Sequence, residues 1–382
     1  MAHPPQFDPR QSGADGMSGF AVKGWCPDAW RPMAAGDGLI VRVRPPLARL
    51  TGVQLAVLVE AAADHGNGQI DLTSRANLQL RGVGEDSLPA LLAMLVAAGL
   101  VDADAAIESR RNLLVAPDWR EGDDTAQIAR ELIARLGELP DLPGKVGFVI
   151  DAGAAPILSG ESGDFRIERG QHGGLILRAD GRATSAAVER RAEVDALLAL
   201  ARWFVESGGR RMARHRATLP SFATGPIPPA PPARPLVPGP RVLGAPFGRI
   251  TAEQLSRLAL NHAIRLTPWR MLLVEGEGTV PDDGWITDPA DPLLRTDACP
   301  GAPDCPQSTV ETRTLARRLA PHVTGRLHVS GCAKGCAHAA PADVMLTGRD
   351  GRFDLAVNAR AGDPPIQSGL TQAALLAHFG AD

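Results

Sequence analysis

Four cysteines dominate the chemistry open to this sequence. Cys299 and Cys305 stand as C-x5-C in ACPGAPDCPQS, and Cys332 and Cys336 as C-x3-C in SGCAKGCAHAA. About one helix and one strand separate the pairs, so they can converge on a single inorganic centre. Soft thiolates in a set of four suit a [4Fe-4S] cluster. Structural zinc prefers C-x2-C to C-x4-C in both pairs, which C-x5-C does not match. No N-terminal stretch reads as a secretory signal, which argues against disulfides and for the cytoplasm. Cys26, in KGWCPDAW, is a fifth thiol that such a centre does not need, and its plainer reading is a buried inert side chain.

The basic residues are lopsided. Of 40 Lys and Arg, the lysines are Lys23, Lys145 and Lys334 alone. Lys145 opens an apolar strand, and Lys334 sits inside the second cysteine pair. An ammonium is a compact proton donor that a guanidinium cannot replace in a tight site, so both are candidate catalytic residues. Lys23, beside Cys26, is as readily a surface residue.

The arginines come in groups. Arg42 and Arg44, two apart in a strand, are expected to share a face. Arg75 lies at the turn of DLTSRANLQL, with Asn77 and Gln79 alternating after it. Arg110, Arg111 and Asn112 follow in ESRRNLLVAP, and Arg270 comes from LTPWR. Any one of these alone reads as a solvated surface charge. Together, at what look like equivalent points of a repeat, they predict a shared anionic ligand with several carboxylates, each open to bidentate contact. A tetrapyrrole with acetate and propionate arms fits that description.

The elements that must position these residues appear twice. Leu47–Leu80 and Phe247–Val274 each give Arg-aliphatic-Thr, a helix carrying Gln-Leu, Leu-Thr, and an Arg entering an apolar strand. PGKVGFVIDAG and TGRLHVSGCAKG form a second matched pair, each preceded by a helical segment. Such repeats predict duplicated units packed about a pseudo-two-fold axis. Within a unit the expected order is strand 39–44, helix 53–64 with Thr51 as N-cap, strands 69–73 and 76–81, and helix 85–98, a ferredoxin-like order. Helix 125–136 and strands 146–150 and 175–178 follow. The second copy has lost most of its last helix. The expected divisions are a disordered tail 1–18, a half-domain 19–100, an α/β domain 101–223, a Pro-rich extended linker 224–240, a shortened half-domain 241–283, and a second α/β domain 284–382 with the cluster.

The 382 residues carry a net charge of −3 and 44% hydrophobic content, so the chain is globular with no basic excess for nucleic acid. No apolar run reaches the roughly 18 residues that a membrane span needs.

With these motifs the chain resembles the sirohaem-dependent nitrite and sulfite reductases from about Phe20 onward. The likeness is carried by the repeated architecture, LTSRANLQL, SRRNL and the cysteine set. It implies an α+β fold of duplicated ferredoxin-like half-domains and α/β domains. It implies that Cys299, Cys305, Cys332 and Cys336 hold the cluster, with Cys336 at the position that bridges to sirohaem iron. Arg44, Arg75 and Arg111 match residues that line the tetrapyrrole; Arg42, Asn77, Gln79, Asn112 and Arg270 complete the expected binding set. Lys145, Lys334 and Arg111 are the catalytic candidates. Lys145 matches the first residue of a Lys-x-Lys pattern, but the second position here is Gly147. Losing that ammonium removes a proton donor and a positive charge, which weighs against simple sulfite or nitrite reduction.

GDGLIVRVRPP, LTPWR and SGCAKGCAHAAPADVMLTGRDGRFDLAVN resemble the branch of the family that hydroxylates precorrin-3A with O2 in aerobic cobalamin biosynthesis and closes a γ-lactone. That resemblance implies a monooxygenase supplied with electrons by NAD(P)H, with a separate reductase as a further expected partner. An additional mononuclear non-haem iron is also expected, for which His328 and His338 are weighed as ligands against plain structural roles. The alternatives are a small sirohaem [4Fe-4S] sulfite or nitrite reductase and, further off, an iron–sulfur electron carrier, which has no need of a duplicated Arg-lined pocket.

Overall fold

The computed structural model describes residues 26–259, 261–281 and 283–381. Lys23 and the expected tail 1–18 lie outside the described residues. The chain divides into two compact units, one spanning Pro27–Leu294 and the other containing Cys26 and Arg295–Asp382.

The first unit opens with the strand Gly38–Val43, in which Leu39, Val41 and Val43 are buried in alternation. The helix Gly52–His65 starts in a capping box. Gln54 N donates to Thr51 Oγ1 at 3.2 Å, and Thr51 N donates to Gln54 Oε1 at 3.1 Å. Its inner face buries Leu55, Leu58, Ala61 and Ala62. Strands Gln69–Leu72 and Leu78–Val83 and helix Leu88–Ala97 complete the half-domain.

The second copy repeats the plan with Val242–Gly244, Arg249–Thr251, Ala252–Ala259, Ala263–Leu266 and Met271–Glu275. Thr251 and Gln254 repeat the capping box at 2.9 and 3.0 Å. Among the described residues no α-helix follows Met271–Glu275 before residue 292.

The copies exchange strands. Arg249–Thr251 pairs antiparallel with Gln69–Leu72, and Arg49–Leu50 pairs antiparallel with Ala263–Leu266. Each half-domain therefore completes the other's sheet, and one continuous apolar core runs beneath both. The turns that launch the exchanged strands match residue for residue: Leu47 and Phe247 both adopt a left-handed φ, 53° and 58°. Non-glycine residues hold that conformation only where surrounding packing over-determines it, and both side chains are buried.

A second sheet in this unit has the order Ala186–Ala187, Leu175–Ala179, Phe165–Arg169, Phe148–Asp151, Leu113–Val115. The last three named strands run parallel and the remaining pairings are antiparallel. Helices Asp124–Ala134 and Glu193–Glu206 bury their apolar faces in its core. The Pro-rich stretch 224–240 forms no helix or strand of its own. It is pinned by isolated bridges Ser185–Ile227 and Gly170–Pro229, so it runs extended but tied down.

The other unit repeats this topology. Thr296–Ala298, Leu327–Ser330 and Ala342–Arg349 are parallel, followed by antiparallel Arg352–Ala359 and Gln367–Leu370. Helices Arg313–Leu319 and Gln372–Phe379 occupy the places of the two helices above. The fold is α+β and duplicated at both levels.

Candidate functional site

The four paired cysteines leave the carboxyl ends of two adjacent parallel strands. Thr296–Ala298 delivers Cys299 and Cys305, and Leu327–Ser330 delivers Cys332 and Cys336, with Ala298 opposite Val329. Ligands gather at such strand ends because side chains and loops from neighbouring strands open together there. Cys299 is buried, Cys305 and Cys332 are half-buried, and Cys336 is exposed. Gly331 N donates to Cys299 Sγ at 3.1 Å, and Thr312 Oγ1 to the Cys299 carbonyl at 2.6 Å. A Cβ on Gly331 would strike the Ser308 side chain, so the two loops meet too closely for a larger residue. Burial raises the Cys332 thiol pKa, and the neighbouring Cys299 and Cys305 raise it further, while Lys334 pulls it down. Cys336 in turn interacts with Cys299, Cys332 and Cys305. All four thiols therefore share one electrostatic neighbourhood, with the exposed Lys334 beside it.

His328 is fully buried in the middle of that sheet, its ring 6.0 Å from the ring of His338. His338 Nδ1 lies 3.5 Å from Asp297 Oδ2, which also takes Arg326 at 2.7 Å. Among the described residues no group of three or more His, Cys, Asp or Glu converges closely enough to hold a single metal ion.

The arginines of the first half-domain gather in the other unit. Arg42 lies on the less buried face of Gly38–Val43, opposite Gln79. Arg44 falls one residue past the strand and is buried. It joins Arg111 around Glu108. Arg111 Nη2 lies 2.6 Å from Glu108 Oε2, Arg44 Nη1 lies 3.8 Å from Oε1, and the same Nη1 donates to the Glu108 carbonyl at 2.7 Å. Two guanidinium groups thus share one fully buried carboxylate, leaving an excess positive charge. Burial raises the Glu108 pKa, against which Arg111 acts first among the charges, and burial lowers that of Arg111.

Arg75 is tied to the next group. Its Nε donates to Asn112 Oδ1 at 2.9 Å and its Nη1 to the Ser162 carbonyl at 2.6 Å. Burial pushes its pKa down to about 10; Asp164 opposes this, and Arg211, Arg42 and Arg44 add to it. Asn77 is buried, its N–H bound to Thr73 Oγ1 at 3.2 Å. Lys145 is exposed, and its carbonyl accepts from Arg211 Nη1. Arg42, Arg44, Arg75, Arg111 and Asn112 therefore belong to one linked basic cluster.

Arg270 is not the counterpart of Arg75, and the repeat shows why. Thr73 and Thr267 make the same turn, each N–H bonding four residues on, to the carbonyls of Asn77 and Met271. In that register Ala76 and Arg270 share the left-handed φ, 51° and 59°, and the counterpart of Arg75 is Trp269. Likewise Arg42 and Arg44 correspond to Val242 and Gly244. The expectation of arginines at equivalent points of both copies is corrected: Arg42, Arg44 and Arg75 have no arginine counterparts in the second copy. Sequence reasoning also passed over Glu108, Asp164 and Arg211. Asp164 is fully buried and pairs with Arg211 at 3.3 Å. Their signal was an isolated acidic residue beside apolar segments, which carries no pattern of its own. A cleft of about 420 Å³ lined by Arg49, Trp119, Arg130, Arg265 and Glu275 includes none of the expected residues.

Comparison with known proteins places this geometry. Residues 31–98 match the model of the nitrite/sulfite reductase ferredoxin-like half domain. A precorrin-3B synthase of Sinorhizobium sp is 31% identical over 90% of this chain and 84% of its own length. The chain belongs to the precorrin-3B synthase family. A ferredoxin–nitrite reductase of Synechococcus elongatus is 24% identical over 86% of this chain and 80% of its own. The structure of Mycobacterium tuberculosis NirA aligns with a TM-score of 0.59 at 19% identity, covering 88% of this chain and 78% of that one, and shows a shared fold. No helix among the described residues is long and apolar enough to cross a membrane.

Proposed function

We propose that this chain is a cytoplasmic monooxygenase that converts precorrin-3A to precorrin-3B. One atom of O2 enters the macrocycle and the other leaves as water, with two electrons drawn from NAD(P)H through a separate reductase. The observation that carries this reading is the 31% identity to a precorrin-3B synthase along 90% of the chain.

Cys299, Cys305, Cys332 and Cys336 would hold a [4Fe-4S] cluster. The donor set fits: four thiols, mutually interacting, rise from two adjacent strand ends. Structural zinc favours C-x2-C to C-x4-C in both pairs, which the C-x5-C of Cys299 and Cys305 does not match. A cubane offers each thiolate its own iron. When bound, the cluster supplies one-electron transfer. The chain's own residues do the rest. The Gly331 N–H stabilises thiolate character at Cys299 Sγ, and Lys334 does so at Cys332.

Arg42, Arg75 and the Arg44–Glu108–Arg111 group supply the positive field for the substrate's carboxylates. Glu108 orients its two arginines and cancels one charge, so the excess is available to an anion. Asn77, Gln79 and Asn112 add amide donors, and Arg270 contributes from the second copy. Lys145, exposed and flexible, is a proton donor to oxygen or an anchor for a further carboxylate. A mononuclear non-haem iron is the remaining candidate for O2 activation; the described residues offer no three-residue ligand set for it.

The test begins with anaerobic purification. The expected protein contains about four irons and four sulfides per chain, lacks the Soret band of sirohaem, and consumes O2 only when precorrin-3A is added. Bound sirohaem with robust nitrite or sulfite reduction would replace this reading by the reductase.

A further inference from the structure

Gly147 has no side chain, and the space is already taken. A Cβ built there would lie 3.0 Å from Arg75 Cζ and 2.8 Å from Asn112 Nδ2, and closer still to Arg75 Nη2. These are the tips of side chains and not backbone, so a larger residue would move the guanidinium before it disturbed the fold. Around that seat Arg75 is held on three sides: Nε on Asn112 Oδ1 at 2.9 Å, Nη1 on the Ser162 carbonyl at 2.6 Å, and Nη2 on the Asn112 carbonyl at 3.3 Å. Asn112 is itself fixed, its Nδ2 donating to the Val146 carbonyl at 2.7 Å and its carbonyl accepting from Phe148 N at 3.0 Å. The Gly147 N–H donates to buried Asp164 Oδ2 at 3.1 Å, which places a carboxylate under the same backbone and supports the charge of Arg75. Nη1 also reaches Ser162 Oγ at 3.5 Å, so of the five N–H donors of a guanidinium one, on Nη2, stays open to a ligand.

We propose that Gly147 is a specificity-determining position. Its missing side chain is the seat of the Arg75 guanidinium, and that seat fixes a planar cation whose remaining Nη2 donor is suited to a carboxylate arm of a large substrate. The proposal rests on the tetrapyrrole reading above. Gly147 acts through Arg75 and is a positioning residue; Arg75 is the group that touches substrate.

A double-mutant cycle on the full-length, anaerobically purified protein tests it. Gly147→Ala, Arg75→Ala and the double variant are compared by iron content, by the dissociation constant for precorrin-3A, and by phenylglyoxal labelling of Arg75 read by peptide mass spectrometry. Iron content should match wild type in all three, reporting an intact fold. Gly147→Ala should speed labelling of Arg75 several-fold, because the guanidinium has lost its seat. Each single variant should bind precorrin-3A about tenfold more weakly or worse, and the double variant no more weakly than Arg75→Ala, since coupled sites are not additive. Additive losses, or unchanged labelling in Gly147→Ala, would overturn the proposal while leaving the functional reading intact. A wild type that does not bind precorrin-3A would overturn that reading and the specificity claim together.

Discussion

Arg249 Nε reaches Asp71 Oδ1 at 3.0 Å, so a residue of the second half-domain neutralises a carboxylate of the first. Arg49 makes the reciprocal crossing to Glu275 Oε2 at 2.6 Å. In the register of the repeat Asp71 corresponds to Arg265, and Arg81 to Glu275. The ion pair within each copy is therefore inverted: Asp71–Arg81 at 3.3 Å in the first, Arg265–Glu275 in the second. The inversion leaves both crossing arginines an acidic target, although the arginines themselves did not change. Ion pairs and exchanged strands together lock the half-domains into one core.

Asp71→Ala should accordingly cost about 2 kcal/mol of stability, because Arg249 loses its crossing carboxylate while Arg81 keeps Asp37 at 2.6 Å. Urea unfolding measures it. A loss under about 0.5 kcal/mol, the range of an ordinary surface change, would show that the crossing pairs do not hold the copies together.

Glu108→Gln removes the negative charge shared by Arg44 and Arg111, while keeping the volume. Two buried guanidinium groups would then face each other without the carboxylate between them. A loss of about 3 kcal/mol is expected, with a raised dissociation constant for precorrin-3A as the arginines separate. Unchanged stability and affinity would mean that Glu108 does not organise the cluster.

Asp151 gives a pH-dependent prediction. It is buried, and Leu158 N donates to its Oδ2 at 2.7 Å. Burial raises its pKa from 3.8 to about 6, with the Leu158 hydrogen bond opposing. A carboxyl whose folded pKa is raised binds its proton more tightly in the folded state. Its penalty is absent below the unfolded value, grows between the two, and is full above about 6. The separation is worth about 3 kcal/mol. Asp151→Asn should therefore be more stable than wild type at pH 7 and lose that advantage by pH 4. An equal difference at both pH values would contradict the assignment.

Much of this was legible because periodicity and caps are local. Thr51 and Gln54 announced the first helix, and the recurrence of Thr and Gln at 251 and 254 announced the second copy. The cysteine spacing predicted two pairs able to converge on a single centre. What escaped was set by contacts distant in sequence. The strand Phe165–Arg169 and the helix Glu193–Glu206 were passed over, the strand because a short run carrying Arg166, Glu168 and Arg169 looks solvated. The buried Glu168 carboxylate in fact pairs with Arg166 and Arg178. The misplacement of Arg270 has the same origin: Arg75 and Arg270 look equivalent along the chain, and only the left-handed residue fixes the register one place away. Glu108 and Asp164 acquire meaning from partners that no spacing connects.

The cluster assignment is tested by metal content. Cys299→Ala, Cys305→Ala and Cys332→Ala should each abolish iron and sulfide binding and destabilise the unit that contains them. Cys26→Ala, which removes the fifth thiol, should leave both contents at the wild-type level. Iron retained in the first three variants, or lost in the last, would refute the ligand set.

The central claim is oxygen insertion into a precorrin. The most direct measurement is the mass of the product formed from precorrin-3A under 18O2, with the intact cluster-loaded protein, NAD(P)H and an electron-transfer system. The account predicts a product heavier than precorrin-3A by a single 18O atom, formed only in the complete mixture. Product of unchanged mass, or carrying oxygen from solvent water alone, would contradict it.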